Sequence, residues 1–442
     1  MIFTNTHLMN HRVIIGLEVH VELKTKSKMF CKCSADYFGQ KPNTHTCPVC
    51  LGLPGALPVP NQQALEWCVQ IGQALNCNIP LFSKFDRKNY FYPDLAKGYQ
   101  ISQYDEPFCL GGHIDINGKK FGITRVHMEE DTGKLTHESD SSLIDFNRSG
   151  VPLVEIVTEP DFDNAKDVKA YLQKLQQIVR YLGVSDADME KGQMRLEPNI
   201  SVSLDVNSKT LPKYKVEVKN INSFGFVEKA INFEIERQLE ILQKGERPAQ
   251  ETRGWNETKN ATVSQRLKEE ANDYRYFPEP DIPPIRWTQT QIDSLKASIP
   301  ELPDEKLARF QKEYSLSEYN AEILTREVAF ANYFEEAVKV AQEKTTPQQI
   351  ANQIINKKIN IDEILPAELI EEILKSNQTN DLDINELKLA VKKVLKDHPQ
   401  IAQDFVKGKT SVIQFAIGQV MYILKKKVDV NLVRNMILEE LK

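Results

Sequence analysis

The chain has 442 residues, 41% of them hydrophobic and 27% charged, which describes an ordinary globular protein of two or three domains and excludes a disordered chain. Its formal charge of −6 argues against a generally basic nucleic-acid coat but leaves room for a local basic surface, and residues 381–442 do hold 11 Lys/Arg against 8 Asp/Glu. No basic and apolar leader opens the chain, and the longest late apolar run, VIQFAIGQVMYIL, is too short to span a bilayer, so a cytoplasmic protein without a membrane partner is expected.

In chain order, GLEVHVELKTKSKMF (16–30) reads first as a strand. Leu17, Val19, Val21 and Leu23 alternate with Glu18, His20, Glu22 and Lys24, so one face is apolar and the other ionisable. Taken alone, that second face reads first as a solvated edge. Four of the seven cysteines follow within 31–50, as Cys31-Lys-Cys33 and Cys47-Pro-Val-Cys50. Two thiolate pairs at this spacing suit a structural tetrahedral zinc site, with His45 as a lesser alternative ligand. Cys68, Cys77 and Cys109 read as packing residues.

FDRKNYFYPDLAKGYQISQ (85–103) mixes Arg87, Lys88 and Lys97 with aromatic residues, a composition for holding phosphate and stacking on a base, or for a core. Arg148 in DFNRSG and Arg275, between Tyr274 and Tyr276, are similar candidates. After the strand-like GITRV, HMEEDTGK gathers His127, Glu129, Glu130 and Asp131 within five residues; a solvated acidic turn is the alternative. In VPLVEIV (151–157) Glu155 stands among Leu153, Val154, Ile156 and Val157, so a buried carboxylate needing a cation is expected. Three separate segments therefore offer hard oxygen ligands of the kind Mg²⁺ takes, although a structural salt bridge would equally explain Glu155.

Periodicity predicts a helix over about 164–182 closed by Gly183, a half-buried strand through Ile200, Val202, Leu204 and Val206, and a helix from about 226 to Gly245. Mixed order without regular βαβ units predicts an α+β fold with a largely antiparallel sheet. PEPDIPPI (278–285) reads as a linker or a fold-closing loop. From about 294 the chain reads as helical, with segments at 304–314, 320–343, 347–357, 366–376, 383–396, 399–405, 409–425 and 429–441. No P-loop, G-x-G-x-x-G or G-x-S-x-G occurs.

GLEVHVELKTKSKMFC, CPVCLGLPGALPV, FDRKNYFYPDLAKGYQISQ, HMEEDTGKLTH, DFNRSGVPLVEIVTEPD, KNINSF and DYRYFPEPDI occur in one order through 13–285. Together they resemble the signature segments of the B-subunit family of bacterial glutamyl/aspartyl-tRNA amidotransferases. The resemblance implies a glutamine-synthetase-like catalytic domain over 1–293, carrying the cysteine hairpin at 31–50. A helical domain over 294–378 and a small helical, tRNA-contacting tail over 379–442 would follow. It implies ATP- and Mg²⁺-dependent phosphorylation of the side-chain carboxylate of Glu-tRNA(Gln) or Asp-tRNA(Asn), then amidation by ammonia from a glutaminase A subunit, with a C subunit completing a heterotrimer. By resemblance Glu18, His20, Lys88, Glu130 and Glu155 are the catalytic residues, and Glu18, His20, Glu129, Glu130 and Glu155 the Mg²⁺ ligands. Lys88 is the best phosphate contact, with Arg87, Arg148 and Arg275 as further phosphate or tRNA candidates, and Cys31, Cys33, Cys47 and Cys50 would bind structural Zn²⁺. The chain departs from the family pattern at DTGK, NRSG and MRLEPN, where Glu197 and Pro198 replace a smaller pair while Arg195 is retained. A non-catalytic tRNA-binding assembly subunit and a free-standing carboxylate–ammonia ligase are the rival readings.

Overall fold

The computed structural model describes residues 10–267, 274–377, 384–406, 409, 411–424 and 430–441. It divides into two compact units, residues 1–308 with 326–328, and 309–325 with 329–442.

The first unit is built on a nine-stranded sheet. Across it run Ala261–Leu267, Glu251–Asn256, Val216–Lys219, Met194–Ser203, Arg12–Glu22, Pro152–Thr158, Lys119–Glu130 and Cys109–Leu110, with His113–Ile116 also paired to 119–130. Every pairing is antiparallel except that of 216–219 with 251–256. The largely antiparallel α+β expectation is met.

Strand alternation sorts the side chains. Leu17, Val19, Val21, Val126, Met128, Val154, Ile156, Leu196 and Ile200 are all buried in one core. Helices Gln62–Ala74, Ala165–Tyr181 and Phe224–Gln243 bury their apolar stripes in that same core. Asn61, Asn164 and Ser223 cap them, each side chain accepting a backbone N–H near the helix start. Gly183 closes the 165–181 helix at φ +71°, a conformation glycine adopts without Cβ strain.

Some expected boundaries differ. The strand expected to run through Val206 spans 194–203, and Leu204 and Val206 lie exposed in the turn beyond it. PEPDIPPI closes the fold: Phe277–Pro278 pairs with Asp86 and Arg87, and Ile285–Arg286 with Phe82 and Ser83. Residues 294–308, grouped by texture with the helical part, belong to the first unit, and helix Gln289–Ala297 receives a hydrogen bond from Gln73 at the Ile292 carbonyl.

In the second unit the helix expected over 320–343 is two, Glu318–Thr325 and Val328–Ala341. The Thr325 hydroxyl donates to the Ala321 carbonyl one turn back, a local bond that competes with helix continuation. Helices Ile384–Asp397, Val412–Leu424 and Val430–Glu440 close a core of Leu387, Val391, Val394, Ile413, Val420 and Val433. The 378/379 boundary expected from resemblance lies outside the described residues.

Candidate functional site

The second face of the sheet carries the ionisable residues in rows. Pairing register sets His20 opposite Glu155 on one side and Arg195 on the other, and Glu155 opposite His127. Along the same strand Glu18 lies opposite Glu197, and Asn199 opposite Gly16 and Glu217. Glu18, His20, Glu129, Glu155, Glu197 and Glu217 floor an open polar cavity of about 340 Å³, into which Lys88, Arg148, Arg195 and Lys219 also face.

Two carboxylate-rich triads result. His20, Glu129 and Glu155 bring one ligand atom each within 4.8 Å of one another, and so do Glu18, Glu197 and Glu217. His127 Nε2 lies 3.1 Å from Glu155 and 3.5 Å from Glu129, while His20 Nε2 lies 3.6 Å from Glu155. Glu129 is further fixed by Ser102 at 2.8 Å, Gln100 at 2.9 Å and the Lys88 ammonium at 3.5 Å. Lys88 reaches the cavity from the Asp86–Asn89 strand, paired with Tyr99–Ser102, and lies 5.3 Å from the centre of the Tyr274 ring. In the second triad Glu18 accepts from Asn199 at 3.0 Å, Glu197 from Lys219 at 2.9 Å and Glu217 from Thr252 at 2.7 Å.

Proximity moves the titrations. Burial alone would lower the His20 pKa, but Glu155 pushes it up to about 9. Burial would raise Glu129, yet Lys88 and His127 hold it at about 2. Burial would likewise raise Glu155, and His127 and His20 hold it well below the usual carboxylate range. Burial, with Glu155 and Glu197 adding to it, pushes Glu18 up. Imidazolium groups and Lys88 thus balance the first triad, and a hard cation fits the same carboxylate and imidazole donors. The His20 Nδ1 is buried without a hydrogen-bond partner.

A buried network flanks the triads. Arg195 meets Asp131 at 2.8 Å, Glu22 accepts from the Tyr37 hydroxyl at 3.0 Å, and Arg148 donates to the carbonyls of Thr132 and Gly133. Glu22, which the alternation alone would leave solvated, is buried, and burial beside Asp131 pushes its pKa well up.

Not every expected residue joins the cavity. Glu130, one residue beyond Glu129, alternates to the other side of its strand. There it pairs with Lys97 at 2.7 Å and accepts the Ile101 N–H at 2.9 Å, beside the cysteine hairpin. Arg87 points away from Lys88 and forms a two-pronged pair with buried Glu279 at 2.7 and 2.8 Å, its guanidinium over Tyr99. Arg275 is exposed at φ +46°, and its carbonyl accepts from Asn89. Glu197, Glu217, Asn199 and Lys219 are not among the site residues expected from sequence. Glu217 carries a legible signal, a carboxylate between Val216 and Val218 like Glu155 between its apolar neighbours.

The cysteine quartet is assembled. The four Sγ atoms lie within 4.8 Å of one another, and Cys47 and Cys50 are 3.8 Å apart, matching the ~3.8 Å edge of a tetrahedron with 2.3 Å Zn–S bonds. A hydrogen bond from Cys31, with the Lys28 ammonium near by, holds Cys50 at about 4, so the cluster favours a thiolate. His45 does not belong to the four-sulfur group and instead offers its carbonyl to Lys28 at 2.7 Å. Cys68 and Cys109 are buried in the core, as expected for packing residues.

Among the described residues no helix is long and apolar enough to cross a membrane. Residues 13–293 match the family described as the GatB/GatE catalytic domain, and residues 309–441 match the GatB domain. The B subunit of the aspartyl/glutamyl-tRNA(Asn/Gln) amidotransferase of Caldicellulosiruptor saccharolyticus is 44% identical, with 98% of this chain and 99% of that one covered. The proteins of the same name from Thermotoga petrophila and Thermodesulfovibrio yellowstonii are each 45% identical, covering 97% and 98% of this chain and 98% and 100% of theirs. With its catalytic and C-terminal regions both matched, and near-full-length identity to these proteins, the chain belongs to the GatB/GatE family of tRNA-dependent amidotransferase subunits.

Proposed function

We propose that this chain activates the side-chain carboxylate of Glu-tRNA(Gln) or Asp-tRNA(Asn) by phosphorylation from ATP and directs its amidation. The observation that carries the reading is the His20–Glu129–Glu155 triad with Lys88 on its rim, in an open polar cavity on a rigid sheet. Transfer of a phosphoryl group to a carboxylate brings anionic oxygens together, so the site's work is neutralisation and in-line positioning. His20, Glu129 and Glu155 would hold Mg²⁺, with Glu18 and its triad beside them. When bound, the ion supplies charge neutralisation for the nucleotide phosphates.

A side-chain carboxylate oxygen attacks the γ-phosphorus, the bond to the β,γ-bridging oxygen breaks, and ADP leaves. Ammonia then adds to the acyl carbon, the carbon–oxygen bond to phosphate breaks, and phosphate and a proton depart. Lys88, held over the triad, neutralises the transferring oxygens, and Arg195 and Arg148 steady the Asp131 side of the cavity. On this reading the sheet and its helices form the glutamine-synthetase-like domain, the cysteine quartet binds a structural Zn²⁺, and the C-terminal helices contact tRNA. A glutaminase A subunit and a C subunit complete the assembly in the cytoplasm.

The test is conversion of Glu-tRNA(Gln) to Gln-tRNA(Gln) by the chain with its A and C partners, given ATP, Mg²⁺ and ammonia. One ADP per amide, dependent on aminoacylated tRNA, is expected. Intact tRNA binding without any conversion would make the chain an assembly subunit. Turnover of free glutamate without tRNA would make it a free-standing ligase.

A further inference from the structure

Lys28, just before the cysteine hairpin, is fully buried, 0% exposed. Its ammonium has three N–H donors, and three acceptors meet them: the carbonyls of His45 at 2.7 Å and Phe146 at 3.3 Å, and the Cys50 Sγ at 3.8 Å. Among the described residues no carboxylate comes within 4 Å of it, and Glu130, which stands across Gly150, is taken by Lys97. Carbonyls solvate a cation but do not neutralise it. A buried ammonium needs an anion near by, and the sulfurs of the quartet are the group placed to supply it.

The quartet has the complementary need. Four thiolates around a divalent cation carry two net negative charges. Cys31, Cys33 and Cys47 are partly exposed and open to water, whereas Cys50 is only 3% exposed. The protein supplies what water cannot: the Cys50 Sγ accepts the Cys47 N–H at 3.1 Å as well as a hydrogen bond from the Lys28 ammonium. Through His45 and Phe146, Lys28 also reaches the two segments that Asn43 and Asn147 join.

We propose that Lys28 is the fixed counter-ion of the cysteine centre, a fifth residue without which the quartet holds a thiophilic divalent cation less tightly. It donates to the sulfur that water does not reach and offsets one of the two negative charges left once the metal is bound. The proposal rests on the metal-binding reading of the quartet above and adds to it the residue that balances its charge. A Lys28 that served only to hold the His45 and Phe146 carbonyls together would leave the electron density on sulfur unchanged.

Two measurements on the full chain in its assembly test this: zinc affinity, by competition with a chromophoric chelator, and the sulfur-to-metal charge-transfer absorption of the Co²⁺-loaded protein. Lys28→Met keeps the side chain's length and removes its charge. It is expected to weaken zinc by about 10- to 100-fold. The cobalt absorption should move to longer wavelength, since sulfur without a cation beside it gives up its electrons more easily. Lys28→Gln, which keeps two donors for the carbonyls, decides the matter if Lys28→Met melts early. Asn43→Gly is the control: it cuts the side-chain bonds of the hairpin to Ile144 and Phe146 and suits the φ of +58° there. It is expected to lower the melting temperature, with zinc affinity within about twofold and the absorption unmoved. An unmoved absorption in a folded Lys28 variant, or an Asn43→Gly protein that shows the same shift, would overturn the counter-ion role. A wild-type assembly that binds neither Zn²⁺ nor Co²⁺ would overturn the metal reading itself, and this proposal with it.

Discussion

The acidic face of the sheet and the cysteine quartet are both sets of metal-compatible donors, built in opposite ways. The quartet draws its four sulfurs from one loop of twenty residues, 31–50, whereas the His20–Glu129–Glu155 triad draws one residue from each of three strands, spread over residues 20–155. A local site is fixed by its ligands, so a metal there would cross-link a loop otherwise tied by hydrogen bonds such as those of Asn43 with Asp145 and His45 with Asn147. A site on a sheet is fixed by the hydrogen-bonded ladder, and its donors stay together through protons and lysines even without a cation. Loss of a donor should therefore cost stability at the quartet and chemistry on the sheet.

Glu155→Gln should have the largest effect. Removing the carboxylate that both His20 and His127 address is expected to cut ATP-dependent amidation by ~10³-fold or more. Assembly with the partner subunits, followed by gel filtration, should persist; near-native amidation would detach the triad from the reaction. Cys47→Ser should do the reverse, lowering the melting temperature by several degrees, the equivalent of ~1–3 kcal/mol, while activity per folded molecule stays within about threefold. Unchanged melting together with no bound zinc would end the structural-metal reading.

A subtler contrast lies within one strand. Glu129→Gln is expected to weaken Mn²⁺ binding, read by electron paramagnetic resonance, by about tenfold or more. Glu130→Gln, on the far side, should leave it within about twofold. Equal losses would mean that the alternation at 129 and 130 does not separate the two carboxylates functionally. The smallest effect is with pH. The His20 pKa is raised in the fold to about 9 from its ordinary value of 6.5. Its contribution to the stability of the metal-free protein is thus full below about 6.5 and lost as pH rises through about 9. Chemical denaturation between pH 6 and 9.5 should show that loss in the wild type and not in His20→Gln.

The two regions also differ in how far sequence exposes them. The C-x-C and C-x₂-C spacing carries its geometry with it, so the quartet is readable directly. On the sheet, Glu18, His20 and Glu155 are legible because each breaks a strong alternation or an apolar run. Glu130 falls in with Glu129 because adjacency hides which of two neighbours faces the cavity until the register with Leu153 and Pro152 is known. Glu197 and Asn199 escape for the same reason: a strand expected to start near 200 leaves the first six residues of the real one without a face. Arg87 shows the limit of composition, since a cation beside Lys88 reads as a phosphate contact until Glu279, 192 residues away, claims it.

Phosphorylation of the carboxylate can be tested by following its oxygen. Glu-tRNA(Gln) labelled with ¹⁸O in the side-chain carboxylate is converted by the complete assembly, and the released phosphate is examined by mass spectrometry. If the carboxylate is phosphorylated on this face, one labelled oxygen per turnover passes to phosphate in the wild type, and Glu155→Gln abolishes the transfer. Amide formed with unlabelled phosphate would contradict the account.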